Sequence, residues 1–451
     1  MVKSVTSAHR TRVTAIAFGG LSLLLSGCGG AAPDQQEFTD LKTAGFVSSS
    51  AAVVAAAPVQ AGPASDADYA LAGYAGNPLA ERNGDDAMQA GIAPSAGALA
   101  TVPATTYNYY VSPKGNDSNP GTAAAPFRTL ARAASAVKAS TTVFVAPGTY
   151  EGGFKTSASG TASARIYFVS TTKWGARIVM PKKSVNNTAW DNRGSYVDII
   201  GFHVDGTYDK SGTRWTLGIY NGGSHDSIRH NWVHHIATGA PCTSAGGSAI
   251  GVDSYYGGVK SEVIGNLVND IGPAGCRFVQ GIYISTSGSV KNNVVYRVAE
   301  GGIHLWHDAN NVIITNNTVT ASNTGIIVGG GDYYKTSGPN NHTAVYSNIV
   351  YDNKMGISEQ GQTGKNNTYR NNLVFKNSTY NWKLNNGLSH TGTVSSEPYF
   401  VAYKRVGTPN LRLSGSSPAI GRGTDVHAHA KDFAERPRNH GTGFDIGAYQ
   451  H

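Results

Sequence analysis

The stretch from residue 301 to residue 319 reads GGIHLWHDANNVIITNNTV and sets the pattern for most of the chain. It holds two short apolar strands, GIHLW and NVIIT, which a polar corner separates, and an Asn-Asn pair then precedes a third strand. Side chains alternate across a strand, so Ile303 should face inward while His304 and Trp306 face outward. The stretch therefore predicts one coil of three short strands.

The same pattern recurs along the chain, and an asparagine marks one corner of each repeat. The spacings between these asparagines are 35, 27, 24, 31 and 24 residues, so the shortest coil has 24 residues and the longer coils carry loop insertions. An asparagine repeated at one tight corner can form a ladder of amide hydrogen bonds and tolerates left-handed backbone angles. The marked positions are Asn231, Asn266, Asn293, Asn317, Asn348 and Asn372.

A second repeated strand alternates with these corners, as in GIYN (218–221), GIYIS (281–285) and GIHLW (302–306). Parallel strands stack about 4.8 Å apart, and each coil buries its apolar side against its neighbours only. The outward residues of this strand should therefore stack in register on one face. In chain order they are Tyr220, Gly251, Tyr283, His304, Ile327 and Ser358.

The body of the chain opens with YYVSPKGNDSNPGTAAAPFRTLARAASAV (109–137), a strand, a turn and a short amphipathic helix. Residues 109–121 resemble the opening of the pectate-lyase-like, right-handed parallel β-helix superfamily, and DIGAYQ (445–450) resembles the ending of its secreted members. The resemblance implies an all-β fold with a single right-handed parallel β-helix of three sheets over residues 106–400. It also implies a short N-terminal capping helix and a C-terminal cap over residues 401–451.

The N-terminal region has a charged start, an apolar run from Val13 to Leu25, and LSGC ending at Cys28. This arrangement is typical of a secretory signal, over residues 1–27. LSGC resembles the lipobox of bacterial lipoproteins, which implies cleavage before Cys28, lipidation of its sulfur, and anchoring to the outer membrane or cell surface. Residues 28–105 are rich in Ala, Gly and Pro without periodicity, so we expect a flexible tether.

Charge is concentrated in the body of the chain. From residue 106 onward the sequence holds 31 of the 36 Lys and Arg residues and 20 of the 28 acids, a net charge near +11. A basic domain favours acidic partners. In an exported protein we expect acidic polysaccharide or lipid head groups rather than nucleic acid, and we expect a monomer.

Two cysteines remain in the body of the chain, and an exported protein can keep a disulfide. Cys242 lies eight residues before Ile250, and Cys276 lies six before Ile282, so both occupy the same connection in successive coils. One coil spacing fits the Cα separation of roughly 4.4–6.8 Å that a disulfide needs. We predict a Cys242–Cys276 bridge, with two unrelated buried thiols as the alternative.

The outer face of the GIHLW strands is the candidate functional site. Aromatic rings beside acids and imidazoles suit sugars, because rings stack on C–H faces while polar groups bond hydroxyls. The alternative is an aromatic ladder that packs under a loop. The predicted substrate-binding residues are Trp306, Tyr220, Tyr283, Asp253, Tyr255, Tyr256, Tyr333, Tyr334 and Arg229.

Two chemistries compete at this face. In β-elimination from a uronic acid, a base removes the C5 proton while a cation neutralises the carboxylate. The cation could be Arg229, Lys260 or a Ca²⁺ ion. Hydrolysis would need two flanking carboxylates, and Asp253 and Asp308 lie about two coils, or roughly 10 Å, apart, at or just beyond the inverting range. The predicted catalytic residues are His304, His307, Asp308 and Lys335, and the predicted calcium ligands are Asp253, Asp308 and Asp332.

The His-Asp pair at 307–308 resembles part of the Asp-Pro-His-Asp/Glu motif of alginate epimerases, but Leu305-Trp306 replaces Asp-Pro. Neither the consecutive-acid calcium cluster of pectate lyases nor the Asp pair of polygalacturonases is present. No catalytic motif of a known family therefore supports a lyase. Only the types of residue on this face favour it. A non-catalytic glycan-binding or envelope-scaffold protein is the alternative of a different class. An enzyme should gather His304, His307 and an acid in one hydrogen-bonded cluster in an open groove, whereas a scaffold should disperse them or bury them under the loop at 329–342.

A second histidine group, RHNWVHH (229–235), raises the question of zinc. His230 precedes the asparagine corner, while His234 and His235 follow it. Strand alternation would send the last two side chains in opposite directions. We therefore predict structural or loop histidines here.

Overall fold

The computed structural model describes residues 102–208, 212–438 and 443–451. The predicted signal at 1–27, Cys28 and the tether up to residue 101 lie outside the described residues. Three parallel sheets wind around a common apolar core, because each coil contributes one strand to each sheet in turn. Among the described residues, no helix is long and apolar enough to cross a bilayer.

Sheet 1 has 11 strands, and each strand pairs with the strand one coil away. They are β1 (Tyr107–Val111), β2 (Thr141–Val145), β5 (Ile166–Ser170), β8 (Val197–Ile200), β11 (Ser227–Arg229), β14 (Ser261–Ile264), β17 (Gly288–Lys291), β20 (Val312–Thr315), β23 (Ala344–Tyr346), β26 (Thr368–Arg370) and β29 (His390–Thr391).

Sheet 2 has nine strands. They are β3 (Gly148–Glu151), β6 (Ala176–Val179), β9 (His203–Asp205), β12 (Trp232–His234), β15 (Leu267–Ile271), β18 (Val294–Val298), β21 (Thr318–Thr320), β24 (Ile349–Tyr351) and β27 (Leu373–Phe375).

Sheet 3 also has nine strands. They are β4 (Phe154–Thr156), β7 (Thr188–Asn192), β10 (Leu217–Asn221), β13 (Gly247–Val252), β16 (Val279–Ile284), β19 (Gly301–Leu305), β22 (Thr324–Gly330), β25 (Met355–Gly361) and β28 (Tyr380–Lys383). A separate antiparallel pair follows, β30 (Phe400–Ala402) with β31 (Asn410–Leu413).

Inward side chains stack in direct register through the core. In sheet 3, Ile219 pairs with Ile250, Ile250 with Ile282, and Ile282 with Ile303, and all four are fully buried. Burying each such side chain stabilises the fold by about 1.5–3 kcal/mol. The apolar alternation read in the sequence therefore becomes a continuous core.

The predicted asparagine ladder is confirmed. From Asn231 to Asn372, each side-chain amide donates to Oδ1 of the next marked asparagine at 2.9–3.1 Å. The left-handed backbone lies one residue earlier than expected, at positions such as Asn292 and Asn316. The ladder asparagine itself can then point inward and satisfy buried peptide groups.

One helix, α1 (Leu130–Ala136), follows β1. The Thr129 side chain caps its N-terminus by accepting a hydrogen bond from the backbone N–H of Arg132. Leu130 and Ala133 are buried in the core. The short helix is present where it was predicted, and its capping role remains a prediction.

The C-terminal segment lies along the outer face of sheet 2. Leu411 and Tyr449 pack with Trp232 and Val294, and the same segment also covers Ile349. The C-terminal segment therefore buries apolar side chains on the outer face of sheet 2.

Cys242 and Cys276 form a disulfide with a Cα separation of 5.4 Å. Cys242 lies between β12 and β13, and Cys276 lies between β15 and β16, so the bridge joins the same connection in successive coils.

Candidate functional site

Sheet 3 carries the predicted outward side chains in register. Tyr220 pairs with Gly251, Gly251 with Tyr283, and Tyr283 with His304. The face is not open here, because Tyr220, Tyr283 and His304 are only 4%, 3% and 3% exposed. Loops that leave the ends of these strands fold back over the sheet.

Asp308 anchors one of these loops, residues 331–338. Its Oδ1 accepts hydrogen bonds from the backbone N–H groups of Tyr334, Lys335 and Thr336 at 3.2, 3.2 and 3.0 Å. Its Oδ2 accepts from the Ser254 hydroxyl at 2.7 Å. Burial opposes ionisation, but these hydrogen bonds hold the pKa of Asp308 below its ordinary value. The predicted catalytic and calcium-binding Asp308 is therefore a loop anchor.

His307 and Tyr334 form a hydrogen-bonded pair beneath this loop. His307 Nδ1 lies 2.8 Å from the carbonyl oxygen of Asp332, which can only accept, so Nδ1 carries the hydrogen. Nε2 then accepts from the Tyr334 hydroxyl at 2.7 Å. Burial lowers the pKa of His307, which keeps the imidazole neutral. A hydroxyl held against an oriented neutral imidazole is suited to proton transfer.

The Tyr334 hydroxyl stays protonated at neutral pH. Burial, followed by the carboxylates of Asp253, Asp332 and Asp308, raises the pKa of this phenol. Lys335, the next residue, has an exposed side chain, and its backbone N–H belongs to the Asp308 anchor. At neutral pH, Tyr334 is therefore a protonated phenol and His307 is a neutral imidazole.

His304 is enclosed, contrary to the prediction of an accessible base. Its ring contacts Tyr283 and Trp306 edge-on, and neither ring nitrogen has a hydrogen-bond partner. Burial, and then the nearby His307, lowers the pKa of His304 to about 3. An imidazole this deeply buried cannot reach a proton of a polymer on the surface.

Trp306 is also covered, so it does not offer the predicted sugar-stacking surface. Its ring lies so close to Gly329 and Gly361 that a Cβ at either glycine would clash with it. Its indole N–H donates to Oδ2 of Asp332 at 3.2 Å. The sequence showed an outward tryptophan correctly, but the following loops cover the ring.

The predicted calcium ligands do not fit a common ion. Asp253 Oδ1 accepts hydrogen bonds from the Ser285 hydroxyl at 2.7 Å and the Tyr255 N–H at 2.9 Å. The Asp308 carboxylate accepts its hydrogen bonds from the loop that it anchors, and the Asp332 carboxylate accepts one from the Trp306 indole. Within the described part of the chain, these three carboxylates do not form a set of ligand atoms close enough for one metal. The three acids therefore do not make up the calcium site that the sequence predicted.

The open part of this face is aromatic and basic. Tyr255 and Tyr256 are 45% and 47% exposed. The Arg193 guanidinium lies 3.6 Å from the Tyr256 ring centroid and 4.5 Å from that of Tyr220. Tyr255 meets the Tyr334 ring edge-on at 5.5 Å. An exposed aromatic row with a cation at one end therefore leads toward the His307–Tyr334 pair.

Arg193 was missed by the sequence reasoning. It directly follows β7, which reads TAWDN and lacks the Gly-Ile signature, although Tyr220 pairs with Asp191 of that strand in register. Asp191 forms an ion pair with Arg193, and Nη1 of Arg193 is buried without a protein partner. Extending the register by one coil would have identified this position.

Arg229 lies on a different face, so it does not serve the site on sheet 3 as predicted. It belongs to β11 of sheet 1 and pairs with Asp198 at 3.4 Å. There it lines an open cavity of about 520 Å³ together with Lys260 and Arg165.

Tyr333 stays near the predicted site, and its hydroxyl donates to Gln362 Oε1 at 3.2 Å.

Fold and register together define a parallel β-helix protein with aromatic loops on one sheet. Residues 109–393 match the family described as "Pel9A-like, right handed beta helix region". The chain belongs to this family, and the predicted right-handed β-helix class agrees with that membership.

Two curated relatives and one solved structure are similar to this chain. It is 33% identical over 139 residues to "Uncharacterized protein YwoF" of Bacillus subtilis (strain 168), over 29% of each chain. It is 25% identical over 381 residues to "Pectate lyase L" of Dickeya dadantii (strain 3937), over 70% of this chain and 86% of the relative. The solved structure of pectate lyase Pel9A superposes with a TM-score of 0.54 at 18% identity, covering 78% of this chain and 98% of that one. The structural likeness is one of fold.

Proposed function

We propose that this protein binds an acidic polysaccharide along the outer side of sheet 3 and cleaves it by β-elimination. The observation that carries the proposal is the 2.7 Å hydrogen bond from Tyr334 to the oriented imidazole of His307. The basic body of the chain favours a polyanion. Family membership and the relative named pectate lyase L support a uronate polymer.

In the proposed reaction, the Tyr334 oxygen takes the C5 proton of a uronate as its own proton moves to His307 Nε2. The C5–H electron pair forms the C4=C5 double bond, and the C4–O bond breaks. Tyr334 then protonates the leaving oxygen, and the resulting phenolate takes back the proton held on His307 Nε2. Lys335 would neutralise the substrate carboxylate, and Arg193 would hold a neighbouring uronate.

A second candidate is a glycan-binding protein without catalysis. The loop at 331–338 favours it, because Asp332 of this loop contacts the covered Trp306 and Asp308 accepts hydrogen bonds from the loop backbone. The geometry disfavours an inverting hydrolase. Asp253 and Asp308 both accept several hydrogen bonds, and a lowered pKa makes Asp308 a poor proton donor.

The test is to incubate the full chain with polygalacturonate, alginate and other uronate polymers, each with added Ca²⁺ and with chelator. Cleavage by β-elimination should produce the ultraviolet absorbance of an unsaturated sugar, and Tyr334→Phe should abolish it. No absorbance together with unaltered polymer lengths would contradict the cleavage proposal. Retained polymer binding in that case would favour the second candidate.

We also propose that a lipid on Cys28 anchors the protein to the outer membrane or cell surface. Growth with a labelled fatty acid should label the wild-type chain but not Cys28→Ser. Equal labelling of both would contradict this anchor.

A further inference from the structure

Three potential metal ligands meet on the outer face of sheet 2. His203 and Asp205 belong to β9, and His234 belongs to β12 one coil later. Backbone pairing sets His234 beside Asp205, and the Nε2 atoms of the two histidines lie 2.6 Å apart. One ligand atom from each of the three residues lies within 4.8 Å of the others.

Surrounding contacts fix these ligands in place. Trp232 stacks on His203 with ring centroids 4.2 Å apart and an interplanar angle of 12°. Arg177 forms an ion pair with Oδ2 of Asp205, and the Thr207 N–H donates to Oδ1 at 2.9 Å. Oδ1 keeps a second lone pair for another partner. Ligands held by such outer contacts are typical of built metal sites.

His235 supports the same arrangement from behind. Its Nδ1 lies 2.5 Å from Nδ1 of His234, so the two rings converge. The prediction that His234 and His235 point in opposite directions is wrong, because His235 has a left-handed backbone with φ of 55° and leaves the strand. A histidine that binds a metal through one nitrogen commonly hydrogen-bonds through the other.

The donor atoms suit a metal. His203, Asp205 and His234 are all buried, so few water molecules compete for their ligand atoms. Two imidazole nitrogens and one carboxylate oxygen are a common donor set for Zn²⁺ and related divalent ions.

We propose that His203, Asp205 and His234 bind one divalent transition-metal ion, with Zn²⁺ as the reference ion. The ion would join two successive coils on sheet 2 and leave one position for water. Zinc ligands at about 2.1 Å stand roughly 3.4 Å from each other in a tetrahedral site, so the two imidazoles need to separate by less than about 1 Å. This site is independent of the proposed polysaccharide chemistry on sheet 3.

The test uses the full chain purified without a polyhistidine tag and stripped with a chelator. Calorimetric titration with Zn²⁺ should give one ion per chain with a micromolar or lower Kd. His203→Gln and His234→Gln should each weaken binding at least tenfold, while the control His342→Gln, outside the cluster, should leave it unchanged. Circular dichroism spectra establish that each variant is folded.

A second measurement needs no variant. Co²⁺ added to the stripped wild-type chain should produce the visible absorption of tetrahedral coordination, and Zn²⁺ should remove it by competition. Absence of that absorption, or of stoichiometric Zn²⁺ binding, would overturn the proposal. Binding that is equally strong in both folded glutamine variants would also overturn it.

Discussion

The Tyr334 hydroxyl donates a hydrogen bond to His307 Nε2 across 2.7 Å, and a backbone carbonyl holds the opposite nitrogen of that ring. The two residues come from different coils, 27 positions apart. The pair exists because the loop at 331–338 returns to the end of β19, where Asp308 accepts three of its backbone N–H groups. Loop anchoring and candidate chemistry are therefore linked.

Removing either member of this pair should slow proton transfer. Tyr334→Phe and His307→Gln should each lower the elimination rate by about 10²–10⁴-fold, the usual contribution of a positioned acid or base. The rate is measured by the absorbance of the unsaturated product. Tyr107→Phe is the control, since Tyr107 lies in β1 of sheet 1, away from this face. A Tyr334→Phe variant with nearly wild-type rate would exclude this role.

Asp308→Ala should release the loop. The substitution leaves the N–H groups of Tyr334, Lys335 and Thr336 without their acceptor, and each unsatisfied group costs about 1–3 kcal/mol unless water reaches it. We expect limited proteolysis within 331–338 to become at least tenfold faster. Lys335→Ala keeps the same backbone N–H and should behave like the wild type in this assay. Unchanged cleavage of Asp308→Ala would show that other contacts hold the loop.

Asn317→Ala should destabilise the whole solenoid. The side chain donates to Val290 O and Asn348 Oδ1, both at 2.9 Å, and accepts from Asn293. Because the site is fully buried, the substitution should lower the free energy of unfolding by about 2–3 kcal/mol. Urea denaturation measures the change, and the exposed Asn366→Ala serves as control. Equal stability of the two variants would count against the ladder as a source of stability.

Reduction of the disulfide should destabilise the fold. The bridge closes a loop with a sequence separation of 34 residues, and such loops contribute about 2–4 kcal/mol. Thermal melting of the full chain, with and without reductant, should show a lower Tm after reduction. A thiol count under denaturing conditions should rise by two on reduction. The same count before and after would contradict the bridge.

The pKa of His304 makes stability depend on pH. Its folded pKa of about 3 lies below the ordinary value of 6.5, so between these values only the unfolded chain binds the proton. Stability from this group is therefore full above pH 6.5 and is lost as the pH falls. His304→Phe should gain about 1.4 kcal/mol over the wild type for each pH unit between 6.5 and 4. Urea denaturation at three pH values measures this, and a pH-independent difference would contradict it.

Local periodicity allowed much of the fold to be read from the sequence. The apolar alternation of GIHLW and the asparagine corners at 24 to 35 residues are properties of each coil, so they predicted the strands, the ladder and the register of Tyr220, Tyr283 and His304. Cys242 and Cys276 could be paired by the same register. These features repeat, and each depends only on its neighbouring coils.

Only the tertiary structure decided what reaches solvent and what meets across coils. His304 and Trp306 point outward as the sequence indicates, but His304 packs against Tyr283 and Trp306, and Asp332 of the loop anchored on Asp308 contacts Trp306. Arg229 lies on sheet 1, whereas Arg193, directly after β7 of sheet 3, lies over the Tyr256 ring. The physical reason is that strand alternation fixes the direction of a side chain from local sequence. Whether a loop covers that side chain depends on hydrogen bonds between residues far apart in the chain.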